Sequence, residues 1–201
     1  MVDEQHKNER HKARMQKVKS QVDARIDAAQ DERGLLIVIT GNGKGKSTSG
    51  FGTVARAVGH DLTAAVVQFI KGSWACGERN LLSNAGVEFF VMGTGFTWNT
   101  QDKEKDMAAA IEVWQSAKVL LADPKIDVVL LDELTYMLTF KYLDLEDVLD
   151  AINSRPVNQH VIVTGRACHR ELIELADTVS EVQSVKHAFD NGVKAQKGID
   201  W

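Results

Sequence analysis

The chain has 201 residues, 44% hydrophobic and 26% charged, which is enough apolar material for one well-buried core and ordinary for a water-exposed globular fold. A formal net charge of -4 argues against a surface built to neutralise many nucleic-acid phosphates, so nucleic acid is not an expected partner. No run approaches the roughly 18 apolar residues of a membrane span, and two widely separated cysteines, Cys76 and Cys168, give neither a disulfide framework nor a zinc pattern; a reducing cytoplasm is the expected setting.

Residues 1–33 form a distinct, charged arm. Lys7, Arg10, Lys12, Arg14, Lys17 and Lys19 crowd it, and Val18, Val22 and Ile26 recur every four residues as a narrow helical stripe. It reads either as a frayed, solvated arm or as a helix that docks on a partner subunit or covers a site. From residue 34 apolar runs alternate with helical segments. Strands are predicted at 35–39, 64–69, 87–92, 128–131 and 161–164, and less clearly at 179–185. Helices are predicted at 46–58, 78–84, 101–122, 145–153 and 168–176, with Gly59, Gly86, Pro124 and Pro156 at their ends. Val- and Ile-rich strands without strict polar alternation imply a mostly parallel sheet of about six strands, covered by helices on both faces in a three-layer α/β fold.

In such sheets ligands bind outside the carboxyl ends of the strands, so the loops there carry the chemistry. The first is GNGKGKST, Gly41 to Thr48, between an apolar strand and a helix start. Its glycines let successive N–H groups face one anion, and the helix adds its positive end. Lys46 is placed to reach a phosphate oxygen and the Ser47 hydroxyl to hold Mg²⁺. The usual pattern, G-x-x-x-x-G-K-[ST], has a glycine five residues before the one at Gly45; here Thr40 stands there, so Gly41 and Gly43 are expected to supply the permissive backbone. The second is Asp132-Glu133, where a carboxylate can hold Mg²⁺ through oxygen. Arg166, after the fifth strand, suits either a phosphate or a surface ion pair. Phe96 and Trp98, in the glycine-flanked GTGFTWN, either seal the end of the sheet or form an aromatic wall for a large, flat ligand. His169 and His187 lack companion ligands at metal spacing and read as polar contacts.

Taken in order, TGNGKGKST, VVQFIKG with GERNLL, GTGFTW, VLLDELTYML, VTGR with CHRELIELADTVSE, and VKHAFDNGVKAQKGIDW resemble the P-loop class of corrinoid adenosyltransferases from about residue 34 to the C-terminus. The resemblance implies a RecA-like P-loop nucleotide-binding fold. It also implies transfer of the 5′-deoxyadenosyl group of ATP to the Co(I) of cobalamin or a precursor, with release of triphosphate, in cobalamin biosynthesis or corrinoid salvage. By the same likeness, Gly41, Asn42, Gly43, Lys44, Gly45, Lys46, Ser47, Thr48 and Arg166 bind nucleotide, with ATP reversed relative to other P-loop proteins. Ser47 and Glu133 approach Mg²⁺, Lys46 stabilises the leaving triphosphate, and Phe96 and Trp98 line the corrinoid face. A reduced flavoprotein donor and a homodimer are further implications. Two other readings of the nucleotide motifs stay open: a RecA-like ATPase in which Glu133 activates water, and a carrier of corrinoid or nucleotide without chemistry.

Overall fold

The computed structural model describes residues 2–70, 76–93 and 102–200, with side chains in the first helix from His6 onward. Two units separate along the chain, Met1–Glu32 and Arg33–Trp201. The first is a single helix, α1 (Val2–Ala28), on which Met15, Val18, Val22 and Ile26 are exposed. The four-residue spacing therefore does report a helix.

In the second unit the strands are β1 (Leu36–Thr40), β2 (Ala64–Gln68), β3 (Glu88–Val91), β4 (Val128–Asp132), β5 (His160–Thr164) and β6 (Thr178–Glu181). They form one sheet in the order β3-β2-β4-β5-β1-β6, with every neighbouring pair parallel. Between them run α2 (Lys46–Val58), α3 (Gly77–Asn84), α4 (Lys103–Ala122), α5 (Leu134–Thr139), α6 (Leu145–Asn153) and α7 (Arg170–Leu175), and a 3₁₀ turn at Ala188–Asn191 lies in the C-terminal tail.

Strand alternation builds the three layers. Val38, Val67, Leu131 and Val163 face one core, filled by Trp114, Ala117 and Leu121 of α4, Met137 of α5, Val148 and Ile152 of α6 and Leu172 of α7. Ile39, Val66, Leu130 and Ile162 face the other, closed by Phe51 and Val54 of α2 and Leu82 of α3. Both faces of the four central strands are thus covered, which is why their sequences lack polar alternation. Gly50 lets α2 lie close on β4: a Cβ there would sit 2.9 Å from Leu130.

Most elements shift from expectation by a residue or two at their ends, the 168–176 helix running from Arg170 to Leu175, and three departures have a clear cause. The 101–122 helix starts at Lys103 because the Asp102 carboxylate accepts the Lys105 N–H and caps it. The last strand spans Thr178–Glu181, ending before Val185, and its four residues are exposed, because it lies at the edge of the sheet. The short helix α5 was not anticipated; LTYMLT is too short and too uniformly apolar to display a 3.6-residue period.

The amino-terminal edge of the sheet is fastened by side chains acting on backbone. Gln159, buried, donates its amide to the carbonyls of Leu120, Asp123 and Ile126 at 3.0–3.1 Å, tying the end of α4 to β5. The Asp177 carboxylate accepts from Arg33 and from the Leu36 N–H, and these contacts hold its pKa down to about 2.

Candidate nucleotide-binding site

The carboxyl ends of β1, β4 and β5 converge on one cleft of about 530 Å³. Its floor is the phosphate loop. Gly41 has φ of 102°, and a Cβ on it would lie 2.5 Å from the Val182 carbonyl oxygen; Gly43 could not carry one either, at 2.5 Å from the Gln183 oxygen. Gly45, at φ 120°, turns the chain into α2. Thr40 is tolerated at the first motif position because the left-handed residue is the next one, Gly41. The loop is sewn to the chain after β6 by the Gly43 N–H, which donates to the Val182 carbonyl at 2.7 Å.

Lys46 is 6% exposed, and its Nζ donates to the Gly43 carbonyl at 2.8 Å, so the ammonium lies folded over the loop it serves. Burial lowers its pKa; the Glu133 carboxylate opposes that shift, the Arg166 guanidinium adds to it, and Asp132 opposes it more weakly. These four groups therefore share one electrostatic environment.

The two acids at the carboxyl end of β4 have different surroundings. Asp132 is fully buried: its Oδ1 accepts from the Thr164 hydroxyl at 2.7 Å and its Oδ2 from the Gln68 amide at 3.1 Å. Glu133 turns out of the strand with φ of 63° and lines the cleft. Arg166 lines it too, in a turn whose carbonyl accepts the Thr135 hydroxyl at 2.6 Å.

Asn42, Gly43, Lys44, Gly45, Lys46, Ser47, Thr48, Glu133 and Arg166 all border this single cleft, whereas Gly41 shapes the loop beneath it. Phe96 and Trp98 lie outside the described residues. The cleft has further walls, in segments that carry the resemblance but were not assigned to the site. One is Gly77, Glu78 and Leu81 on α3; the other is the C-terminal tail, through His187, Gly198, Ile199 and Asp200. Lys44 pairs with Asp200, Nζ to Oδ1 at 2.7 Å, across 156 residues of sequence. GERNLL holds Glu78, but only the fold brings it here. His169 and His187 each accept a backbone N–H two residues on, from Glu171 and Phe189, the polar contacts their isolation implied.

A divalent cation fits the donor set in a particular way. The Ser47 hydroxyl and the Glu133 carboxylate offer oxygen in the same cleft, and among the described residues there is no cluster of three His, Cys, Asp or Glu side chains to cage a metal. One carboxylate and one hydroxyl suit Mg²⁺, which takes few protein ligands and completes its shell with phosphate and water.

Comparison with known proteins gives the same direction. The model of ATP:corrinoid adenosyltransferase BtuR/CobO/CobP matches residues 32–201, and that of the cob(I)alamin adenosyltransferase N terminal matches residues 1–26. Corrinoid adenosyltransferase CobA of Salmonella typhimurium is 63% identical over 194 residues, 96% of this chain and 99% of that protein. The corrinoid adenosyltransferase of Escherichia coli K12 is 64% identical over the same shares, and that of Pseudomonas aeruginosa is 51% identical over 97% of each chain. With the phosphate loop, the acidic strand end and the cleft in place, and with this likeness running almost end to end, the chain belongs to the ATP:corrinoid adenosyltransferase family.

Proposed function

We propose that this chain transfers the 5′-deoxyadenosyl group of ATP to the cobalt of a Co(I) corrinoid, giving adenosylcobalamin or a precursor and inorganic triphosphate. The observation that carries the reading is the gathering of Lys46, Ser47, Glu133 and Arg166 around one glycine-built phosphate loop in a chain of this family. The nucleophile is the reduced cobalt of the substrate. It forms the cobalt–carbon bond as the bond from the 5′-carbon to the triphosphate oxygen breaks, and both electrons of the broken bond leave with the triphosphate. No protein base is required for that displacement.

What the chain supplies is position and charge. Lys46 and the amides of Asn42 to Thr48 hold the polyphosphate, and because they are placed in advance they stabilise the leaving charge without reorganising. Arg166, which lines the same cleft, adds a second cation. Ser47 and Glu133 hold Mg²⁺, which when bound offsets part of the negative charge on the triphosphate. ATP lies reversed along the loop, so that its ribose carbon rather than a phosphorus faces the nucleophile. Phe96 and Trp98 line the corrinoid face and keep the lower axial ligand off cobalt, which eases reduction of Co(II) to Co(I). A reduced flavoprotein supplies that electron in the cytoplasm, and the apolar stripe of α1 supports a homodimer.

Anaerobic incubation with Mg-ATP and chemically reduced cob(I)alamin tests the reading. A light-sensitive alkylcobalamin formed together with inorganic triphosphate is the expected result. ADP and phosphate without cobalt alkylation would assign the cleft to ATP hydrolysis, and binding without turnover would make the chain a carrier.

A further inference from the structure

Two neighbouring carboxylates stand at the carboxyl end of β4, Asp132 as its last residue and Glu133 just beyond, yet only Glu133 lines the cleft, and the contacts around Asp132 account for the choice. Strand alternation sends successive side chains to opposite sides, and the Asp132 side chain is buried with both oxygens engaged, by Thr164 at 2.7 Å and Gln68 at 3.1 Å. A buried carboxylate held on both oxygens has no inducement to rotate toward water. The Thr164 hydroxyl performs a second task. While its hydrogen goes to Asp132, its oxygen accepts the Glu133 N–H at 2.9 Å, so one hydroxyl fixes the side chain of the first acid and the backbone of the second.

The clasp continues along the turn. Gly165, next to Thr164, packs so closely on Thr135 that a Cβ would lie 2.0 Å from its hydroxyl, and that hydroxyl donates to the Arg166 carbonyl. The residues 164–166 thus grip residues 132–135 at three successive points, and the grip sets Glu133, in its left-handed conformation, against the cleft beside Arg166.

We infer that Thr164, acting through Asp132 and Gln68, is a positioning residue that selects Glu133 as the cleft carboxylate and orients it toward the metal of the bound nucleotide. This rests on the proposed reading only in taking Glu133 as the metal ligand. Groups that orient a metal ligand typically change metal affinity about 10- to 100-fold when removed.

The test uses the full chain with ATP and Mn²⁺ as a paramagnetic probe, reading bound Mn²⁺ by electron paramagnetic resonance, beside melting curves and alkylation of cob(I)alamin. Thr164→Val keeps the shape and removes the hydroxyl; it is expected to raise the Mn²⁺ dissociation constant about tenfold, and Thr164→Ser to restore it to within about twofold. A purely structural hydroxyl would lower the melting temperature and leave the Mn²⁺ affinity of the folded protein unchanged, and that result overturns the inference. Should Thr164→Val not fold, Gln68→Leu decides, since it releases one Asp132 oxygen: a rise of about threefold supports the inference and an unchanged constant overturns it. Weakened Mn²⁺ binding in a chain whose wild type makes no alkylcorrinoid would uphold the positioning role and reject the transferase reading. Alkylation by wild type with unaltered Mn²⁺ binding in folded Thr164→Val would do the reverse.

Discussion

Replacement of Lys46 by alanine probes the site most directly. The side chain is 6% exposed and its ammonium lies 2.8 Å from the Gly43 carbonyl, within the curve of the loop where a phosphate oxygen would be held. A hydrogen bond to a charged group contributes about 1.5 to 3 kcal/mol, so losing it from the transition state corresponds to roughly a ten- to over a hundredfold fall in kcat/KM. Folding should change little, because the Gly43 carbonyl borders an open cleft and regains water. The charge also has a pH signature. Burial holds the Lys46 pKa below its ordinary 10.5, so the proton is lost, and activity falls, at lower pH than for a solvated lysine. Initial rates of cob(I)alamin alkylation, with ATP varied and pH stepped upward, measure both effects. An alanine variant with wild-type kcat/KM, or an alkaline limb that stays flat to pH 10.5, would remove Lys46 from triphosphate stabilisation.

Other predictions concern the supports of the site. Gln159→Leu removes the amide donor from three carbonyls, of which those of Leu120 and Asp123 keep a backbone N–H, and should cost about 1 to 3 kcal/mol, seen as a melting temperature lower by roughly 2 to 12 °C; an unchanged melt would mean that water replaces the amide. Asp177 is held near pKa 2 in the fold against 3.8 ordinarily, so its contribution is complete above about pH 4 and disappears as pH falls toward 2. Asp177→Asn should therefore be about 1 kcal/mol less stable at pH 7, with the difference shrinking as pH falls from about 4 through about 2, by urea titration at each pH. Gly165→Ala combines a φ of 140° with a Cβ 2.0 Å from the Thr135 hydroxyl, so it should lower both melting temperature and alkylation rate, whereas Gly52→Ala, in open space on α2, should not. Phe96→Ala and Trp98→Ala should slow turnover from Co(II) more than from prepared Co(I); equal slowing would argue against exclusion of the lower ligand.

Local chemistry explains why so much of the site was readable along the chain. Gly41 to Thr48 is contiguous because a phosphate loop uses backbone amides that must follow one another, and the cleft acid Glu133 stands directly after an apolar strand because the ligand edge lies where the strand ends. The central strands were readable for a similar reason: burial on both faces leaves an unbroken apolar run. The edge strand Thr178–Glu181 was readable only loosely, as 179–185, since it has no buried face to pattern it, and the helix Leu134–Thr139 not at all, since it is shorter than two helical turns.

By itself the sequence determined the layer architecture, the phosphate loop and the family, because periodicity, glycine placement and motif order are properties of neighbours in the chain. The family resemblance pointed to Glu133 rather than Asp132, but the physical reason that Glu133 is the acid lining the cleft exists only in three dimensions. Asp132 and Glu133 are adjacent and chemically alike, and the choice between them is made by Thr164, 32 residues from the acid that accepts its proton, and by Gln68, 64 residues away. The walls at Glu78 and at Gly198 to Asp200 were likewise a tertiary outcome. An ion pair such as Lys44 with Asp200 depends on two segments meeting, and an isolated charge does not encode the place of its partner.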